Sequence, residues 1–168
     1  MTIHSEHPFA DASREAARQL RGRLGTRVSV FTAGEGRQRE GWTVSSLAVV
    51  GGEPWRVVAF VDPDCDLTER AEQTGRAVVQ LLDGPDRYLA DAFAGTAPAP
   101  GGVFTLGSWE QTDHGPRLAS SANWAALELE RASDLGWSRQ LVFTVVHAHA
   151  GADDAPLHHV RGHYRVLD

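Results

Sequence analysis

Gly41-Trp42-Thr43-Val44-Ser45-Ser46-Leu47-Ala48-Val49-Val50 sets three hydroxyl residues inside a run whose far end is hydrophobic. In a strand, successive side chains point to opposite faces. Thr43, Ser45, Leu47 and Val49 then share one face, and Trp42, Val44, Ser46, Ala48 and Val50 share the other. Hydroxyls therefore reach both faces at one end of the expected strand. Small hydroxyl side chains leave room for a flat ligand and open backbone N–H and C=O groups to it, while the β-branched remainder packs a core. A half-exposed strand with surface hydroxyls is the plain alternative.

Outward from this stretch, Gly51-Gly52-Glu53-Pro54 is a turn, since glycine permits positive φ and proline fixes the start of the next strand. That strand is Trp55 to Val61. Asp62-Pro63-Asp64-Cys65-Asp66 leads into a short helix over Asp66 to Thr74, and a strand runs on to Leu82. Upstream, Arg27 to Thr32 alternates like a strand, and Gly34 to Gly41 is the loop of a hairpin. Phe9 to Leu24 has helical spacing and carries Arg14, Arg18, Arg21 and Arg23, expected as a solvated face. Asp86 to Phe93 reads as a second short helix, and the Pro- and Gly-rich segment Ala94 to Gly102 as a loop. The last third reads as strands over Val103 to Gln111, Trp124 to Ala132, Arg139 to His149 and His158 to Leu167. Short strands without a βαβ rhythm predict a mainly β (α+β) chain, an antiparallel barrel with a few short helices.

Composition narrows the classes of function. The chain of 168 residues suits one domain. Its formal charge of −6, from 16 Lys plus Arg against 22 Asp plus Glu, argues against nucleic-acid binding, which needs clustered cations. The single cysteine, Cys65, excludes an intrachain disulfide framework. No run approaches the roughly eighteen apolar residues of a membrane span, and no apolar signal segment opens the sequence. A cytoplasmic protein with no membrane partner is expected. His147-x-His149, His158-His159 and His163 invite a metal reading, but the spacing supplies no convincing further ligands, so no metal is expected.

Several segments taken in order carry a resemblance. Gly41-Trp42-Thr43-Val44-Ser45-Ser46, the strand and turn through Asp62 to Thr68, Thr74-Gly75-Arg76-Ala77-Val78-Val79-Gln80-Leu81-Leu82, Phe93-Ala94-Gly95, and Pro156-Leu157-His158-His159-Val160-Arg161-Gly162-His163-Tyr164 resemble the flavin reductase-like family. That family has the FMN-binding split β-barrel fold. The resemblance covers roughly residues 25–168, leaving 1–24 as an N-terminal segment and helix packed on the barrel. It implies cofactor contacts from Trp42, Thr43, Val44, Ser45 and Ser46, from Asp62, Cys65, Asp66 and Thr68, from Gln80 and Leu81, and from Arg161 and Tyr164. Phe93, Trp137, Ser138 and Arg139 fall at its substrate side.

Departures accompany the likeness. Cys65 stands where the family usually has Ser, Leu67-Thr68 inverts a Thr-Leu pair, and Gln80 replaces Asn on a longer arm. Reductase members commonly carry Gly-Asp-His in a turn that here reads Gly136-Trp137-Ser138-Arg139, without histidine. The resemblance implies FMN as cofactor, with FAD open, NAD(P)H as reductant, and a homodimer with the flavin site at the subunit interface. It implies a flavin reductase that supplies a partner monooxygenase. A non-catalytic flavin- or ligand-binding module that has lost the reductase turn is the alternative.

Overall fold

The computed structural model describes residues 8–167, with side chains from residue 15 onward. Helix α1 (Pro8–Leu24) leads into β1 (Thr26–Arg27) and β2 (Ser29–Ala33), followed by β3 (Glu40–Val44), β4 (Leu47–Val50) and β5 (Arg56–Val61). Helix α2 (Asp66–Thr74), β6 (Arg76–Leu81) and α3 (Arg87–Phe93) come next. The chain closes with β7 (Trp109–Thr112), β8 (Gly115–Leu118), β9 (Asn123–Leu135), β10 (Ser138–Ala150), β11 (Leu157–Val160) and β12 (His163–Val166).

Seven strands form one antiparallel sheet in the order β3-β2-β6-β9-β10-β5-β4. Its two edge strands, β3 and β4, are consecutive in sequence and separated only by Ser45 and Ser46. A two-residue link between opposite edges is possible only if the sheet curls until its ends meet. Register shifts in the β9–β10 pair, between Val142 and Phe143 and between Val145 and His147, supply bends in the longest arms. The result is a split antiparallel barrel with three short helices.

This corrects the single strand expected over Gly41 to Val50. The ladder of β3 ends at Val44, whose carbonyl accepts the buried Ser29 hydroxyl at 2.6 Å. The chain then crosses to the other edge, so face alternation does not run through Ser45 and Ser46. The strand expected over Val103 to Gln111 is likewise a 3-10 turn (Val103–Thr105) before β7, and His158 to Leu167 is a hairpin rather than one strand. At its tip Arg161 and Gly162 both take positive φ, 53° and 78°, the backbone that a two-residue hairpin turn of matching twist requires.

Two hydrophobic clusters fill the two faces. Inside the curl, Phe31, Val44, Val57, Leu127, Leu141 and Phe143 pack with Leu67 and Ala71 of α2. On the other face Val28, Val30, Leu82, Leu118 and Leu157 pack with Leu89, Ala90 and Phe93 of α3. Val28, Leu82 and Leu157 are stitched to one another by backbone bonds of 2.9 to 3.0 Å, which fastens the small β1-β11-β12 sheet to the barrel. No helix among the described residues is long and apolar enough to cross a membrane.

Candidate functional site

The Ser45–Ser46 link opens onto a cleft of about 900 Å³ lined also by Leu47, Ala48 and Phe60, by the C-terminal half of α1, and by His159, Arg161 and Gly162. Its position follows from barrel closure. The Ser46 carbonyl accepts the Phe60 N–H at 2.9 Å, one step beyond the β4–β5 ladder that starts at Leu47 and Ala59. The Arg161 N–H donates to the Gly22 carbonyl at 2.8 Å, which docks the β11–β12 turn on the end of α1. The cleft thus has an apolar floor from Leu47, Ala48 and Phe60, two small hydroxyls at one side, and a cationic rim. Among the described residues neither the Ser45 nor the Ser46 hydroxyl has a hydrogen-bond partner.

Of the residues singled out in the sequence, the structure brings Ser45, Ser46 and Arg161 together here. The others stand elsewhere, and the polar groups of Thr43, Asp62, Thr68, Gln80, Arg139 and Tyr164 have protein partners. Thr43 donates its hydroxyl to the Ala90 carbonyl at 2.6 Å and so ties β3 to α3. Trp42 packs against the inner cluster, and Val44 is buried in it. Gln80 is fully buried; its amide donates to the Val30 carbonyl at 2.8 Å and accepts the Leu118 N–H at 3.0 Å. The longer arm of glutamine is thus used to bind β2 and β8 to β6. Phe93 is a core residue, in contact with Phe104 and Trp109.

The turn before α2 is similarly self-contained. Thr68 donates to the Asp62 carbonyl at 2.7 Å and lies 3.1 Å from the Cys65 sulfur, both side chains being buried. Asp62 accepts the Asp64 N–H at 2.8 Å. Asp66 and Glu69 occupy the first turn of α2 and already complement the positive helix end. None of these residues lines the cleft.

Tyr164 donates its hydroxyl to an Asp91 carboxylate oxygen at 2.8 Å, and burial first, then this carboxylate, push the phenol well above its ordinary range. Trp137 is 81% exposed at the β9–β10 tip. Ser138 and Arg139 follow it, and the Arg139 guanidinium pairs with Glu72 at 2.7 Å and Asp134 at 3.0 Å, both of which hold it charged. Because Arg139 and Gln140 pair with Val61 and Phe60, this tip rises from the sheet end that carries Phe60.

Leu81 lines a second, mostly apolar cleft of about 650 Å³ on β4, β5 and β10, with Val49, Trp55, Trp124, Val145 and His147. Leu47 belongs to both clefts. The sequence reading missed Gly22, Thr26, Phe60 and His159 as cleft residues. Each comes from an element that reaches the site only when the barrel closes, and no local pattern signals that. Among the described residues no group of His, Cys, Asp and Glu could hold a metal ion.

The curled antiparallel split barrel is a fold that solved flavin reductases share with this chain. The chain belongs to the flavin reductase like family: a family model described as Flavin reductase like domain matches residues 21–168. Among solved structures it is similar to BorF, the flavin reductase component of a bacterial two-component tryptophan halogenase, with 22% identity, a TM-score of 0.81 and coverage of 92% of this chain and 98% of that one. It is also similar to the Streptomyces globisporus NADH:FAD oxidoreductase SgcE6, solved with NAD and FAD fragments. There the identity is 21%, the TM-score 0.82 and the coverage 94% of each chain. The styrene monooxygenase flavin reductase of Pseudomonas putida S12 matches at 19% identity and a TM-score of 0.79 over 90% of this chain and 97% of that one. No curated protein matches this chain.

Proposed function

We propose that the chain binds flavin in the cleft at the Ser45–Ser46 link and reduces it with NAD(P)H, as the reductase component that feeds reduced flavin to a monooxygenase. The observation that carries this is the pair of hydroxyls that have no hydrogen-bond partner among the described residues, beside an apolar floor and a cationic rim. A flavin is a flat apolar ring with a polar edge and an anionic tail, and each part finds its chemistry in these residues. Ser45 and Ser46 meet the polar edge, Leu47, Ala48 and Phe60 exclude water from the ring, and Arg161 with the α1 arginines faces the phosphate. The Asp62 to Thr68 turn is the poorer place for a phosphate, because its own acids stand at the helix end. FMN is the expected form, with FAD also suited to the size of the cleft. When bound, the flavin supplies hydride-accepting chemistry.

Family membership supports the reading, and the names of the similar structures add two-component systems as its setting. The apolar cleft on β4, β5 and β10 is the proposed homodimer face. It adjoins the flavin cleft through Leu47, so a second copy there borders the site. The test is a titration of FMN and FAD by fluorescence quenching, followed by loss of NADH and NADPH absorbance in the presence of each flavin.

One observation favours a second reading, a flavin-binding module without reductase activity. The β9–β10 turn carries no histidine, and Arg139 is committed to Glu72 and Asp134. Tight flavin binding with no nicotinamide oxidation would select it.

A further inference from the structure

Among the described residues that line the Ser45–Ser46 cleft, four are arginines and none is an aspartate, glutamate, cysteine, lysine or tyrosine. His159 is therefore the one lining side chain that exchanges a proton near neutral pH. It is also held in place. Its backbone pairs on one side with Thr26 of β1 and on the other with Tyr164 of β12. Its half-buried ring packs edge-on against the Tyr164 ring, with centroids 5.6 Å apart and planes at 70°. Tyr164 is anchored in turn by the 2.8 Å bond from its hydroxyl to Asp91 of α3. Packing thus orients the imidazole without using its nitrogens, and neither has a hydrogen-bond partner among the described residues. His149 and His158 differ, each with Nδ1 near a backbone carbonyl, at 2.8 and 3.4 Å. The charged groups around His159 are Arg18, Arg21 and Arg23 of α1 and Arg161 of the β11–β12 turn, with Asp91 behind Tyr164.

We propose that His159 touches the polar edge of the flavin ring and favours its reduced over its oxidised state; this rests on reading the cleft as the flavin site. Two-electron reduction makes that edge more negative, and donors already in place where charge develops stabilise it without reorganisation. The Ser45 and Ser46 hydroxyls stay neutral in both states, and the arginines stay charged in both. Only the imidazole responds. It takes up a proton from solvent as the ring gains charge, so its hydrogen bond becomes one between ions, roughly twice as strong as a neutral one. The hydride and its two electrons come from the nicotinamide, and His159 neither gains nor loses electrons. Its role is on the flavin, separate from that of the histidine absent from the β9–β10 turn.

The experiment needs no turnover. Dissociation constants for oxidised FMN and for dithionite-reduced FMN are measured by anaerobic calorimetry on the natural chain, His159→Phe and His159→Gln. The ratio of the oxidised to the reduced constant is expected to fall by about tenfold in His159→Phe, equivalent to ~30 mV in the two-electron potential of the bound flavin. Oxidised FMN itself should bind within about threefold of the natural chain, because phenylalanine keeps the ring packing on Tyr164. Glutamine keeps a neutral N–H donor but takes up no proton, so the His159→Gln ratio should lie between the other two. A merely structural role for the ring would move both constants together and leave the ratio unchanged. An undiminished ratio in either variant overturns the proposal, so His159→Gln still decides if His159→Phe does not fold. Failure of the natural chain to bind oxidised FMN removes the flavin reading itself, and the role of His159 with it; binding with an unchanged ratio removes only that role.

Discussion

The Ser46 carbonyl and the Phe60 N–H meet at 2.9 Å, and both residues line the same cleft. This bond forms where the chain leaves one sheet edge and joins the other. The floor of the cleft is therefore set by barrel closure, and residues far apart in sequence are placed by it rather than by a flexible loop.

Gly41 and Phe93 show how tightly the first edge is packed. A Cβ at position 41 would lie 2.5 and 2.8 Å from ring carbons of Phe93, itself buried among Phe104 and Trp109. Gly41→Ala is expected to cost about 1–3 kcal/mol through overpacking. Thermal or denaturant unfolding checks this. An unchanged midpoint would mean that the α3 face yields more easily than its burial indicates.

Stability at alkaline pH isolates Tyr164. The sequence contains no lysine and only two tyrosines, so few groups titrate there. Folding raises the Tyr164 pKa above the ordinary phenol value of about 10, by burial first and then by the Asp91 carboxylate. The folded state thus holds this proton more strongly than the unfolded chain does. The resulting stability is fully present below about pH 10 and is lost as pH rises from there through the folded value. Tyr164→Phe should lower stability near neutrality by about 1 kcal/mol, the loss of one partly buried hydrogen bond, and flatten the decline above about pH 10. Melting temperatures across the alkaline range of both proteins test it; parallel curves would contradict it.

The apolar face of β4, β5 and β10 leaves Val49 64% and Trp55 57% exposed. A contiguous patch of this kind is characteristic of an interaction surface. The natural chain is expected to sediment as a dimer at micromolar concentration. Val49→Glu with Trp55→Glu should give a folded monomer with weakened flavin binding. A natural chain that is monomeric with flavin bound would contradict an interface site.

The β9–β10 tip decides between reductase and binding module. Replacing Arg139 would break its pairs with Glu72 and Asp134, so Ser138→His is the cleaner way to restore an imidazole. If its absence limits nicotinamide positioning, Ser138→His should raise the rate of flavin reduction by about tenfold or more, since small misplacements of reacting groups carry large rate penalties. Flavin affinity should change little. Stopped-flow reduction with NADH and NADPH measures this; fast reduction in the natural chain would show that the tip already serves.

Local pattern carried much of the fold. Helix α2 has the bounds its spacing implied, Asp66 to Thr74, because Gly75 supplies a left-handed C-cap at φ 67°. Strands β9 and β10 were legible from their β-branched and apolar content. The break at Ser45–Ser46 was not, because a corner between sheet edges looks like a strand until the long-range pairing is known. The candidate cleft was legible only in part. Ser45, Ser46 and Arg161 meet in the cleft, whereas the hydroxyl and amide groups of Thr43, Thr68 and Gln80 are spent on tertiary hydrogen bonds. Nothing in residue type distinguishes a hydroxyl that awaits a ligand from one that binds a carbonyl across the fold. The arginines of α1 read as a solvated face because the turn that completes their rim lies at the other end of the chain.

The most direct test is FMN titration by fluorescence quenching of the natural chain and of Ser45→Leu/Ser46→Leu, with circular dichroism to verify the fold. Leucines there fill the polar side of the cleft while leaving the Ser46 to Phe60 backbone bond possible. Saturable FMN binding by the natural chain and its loss in a folded double variant is the predicted result. Undiminished FMN affinity in that variant would place the flavin elsewhere and contradict the account.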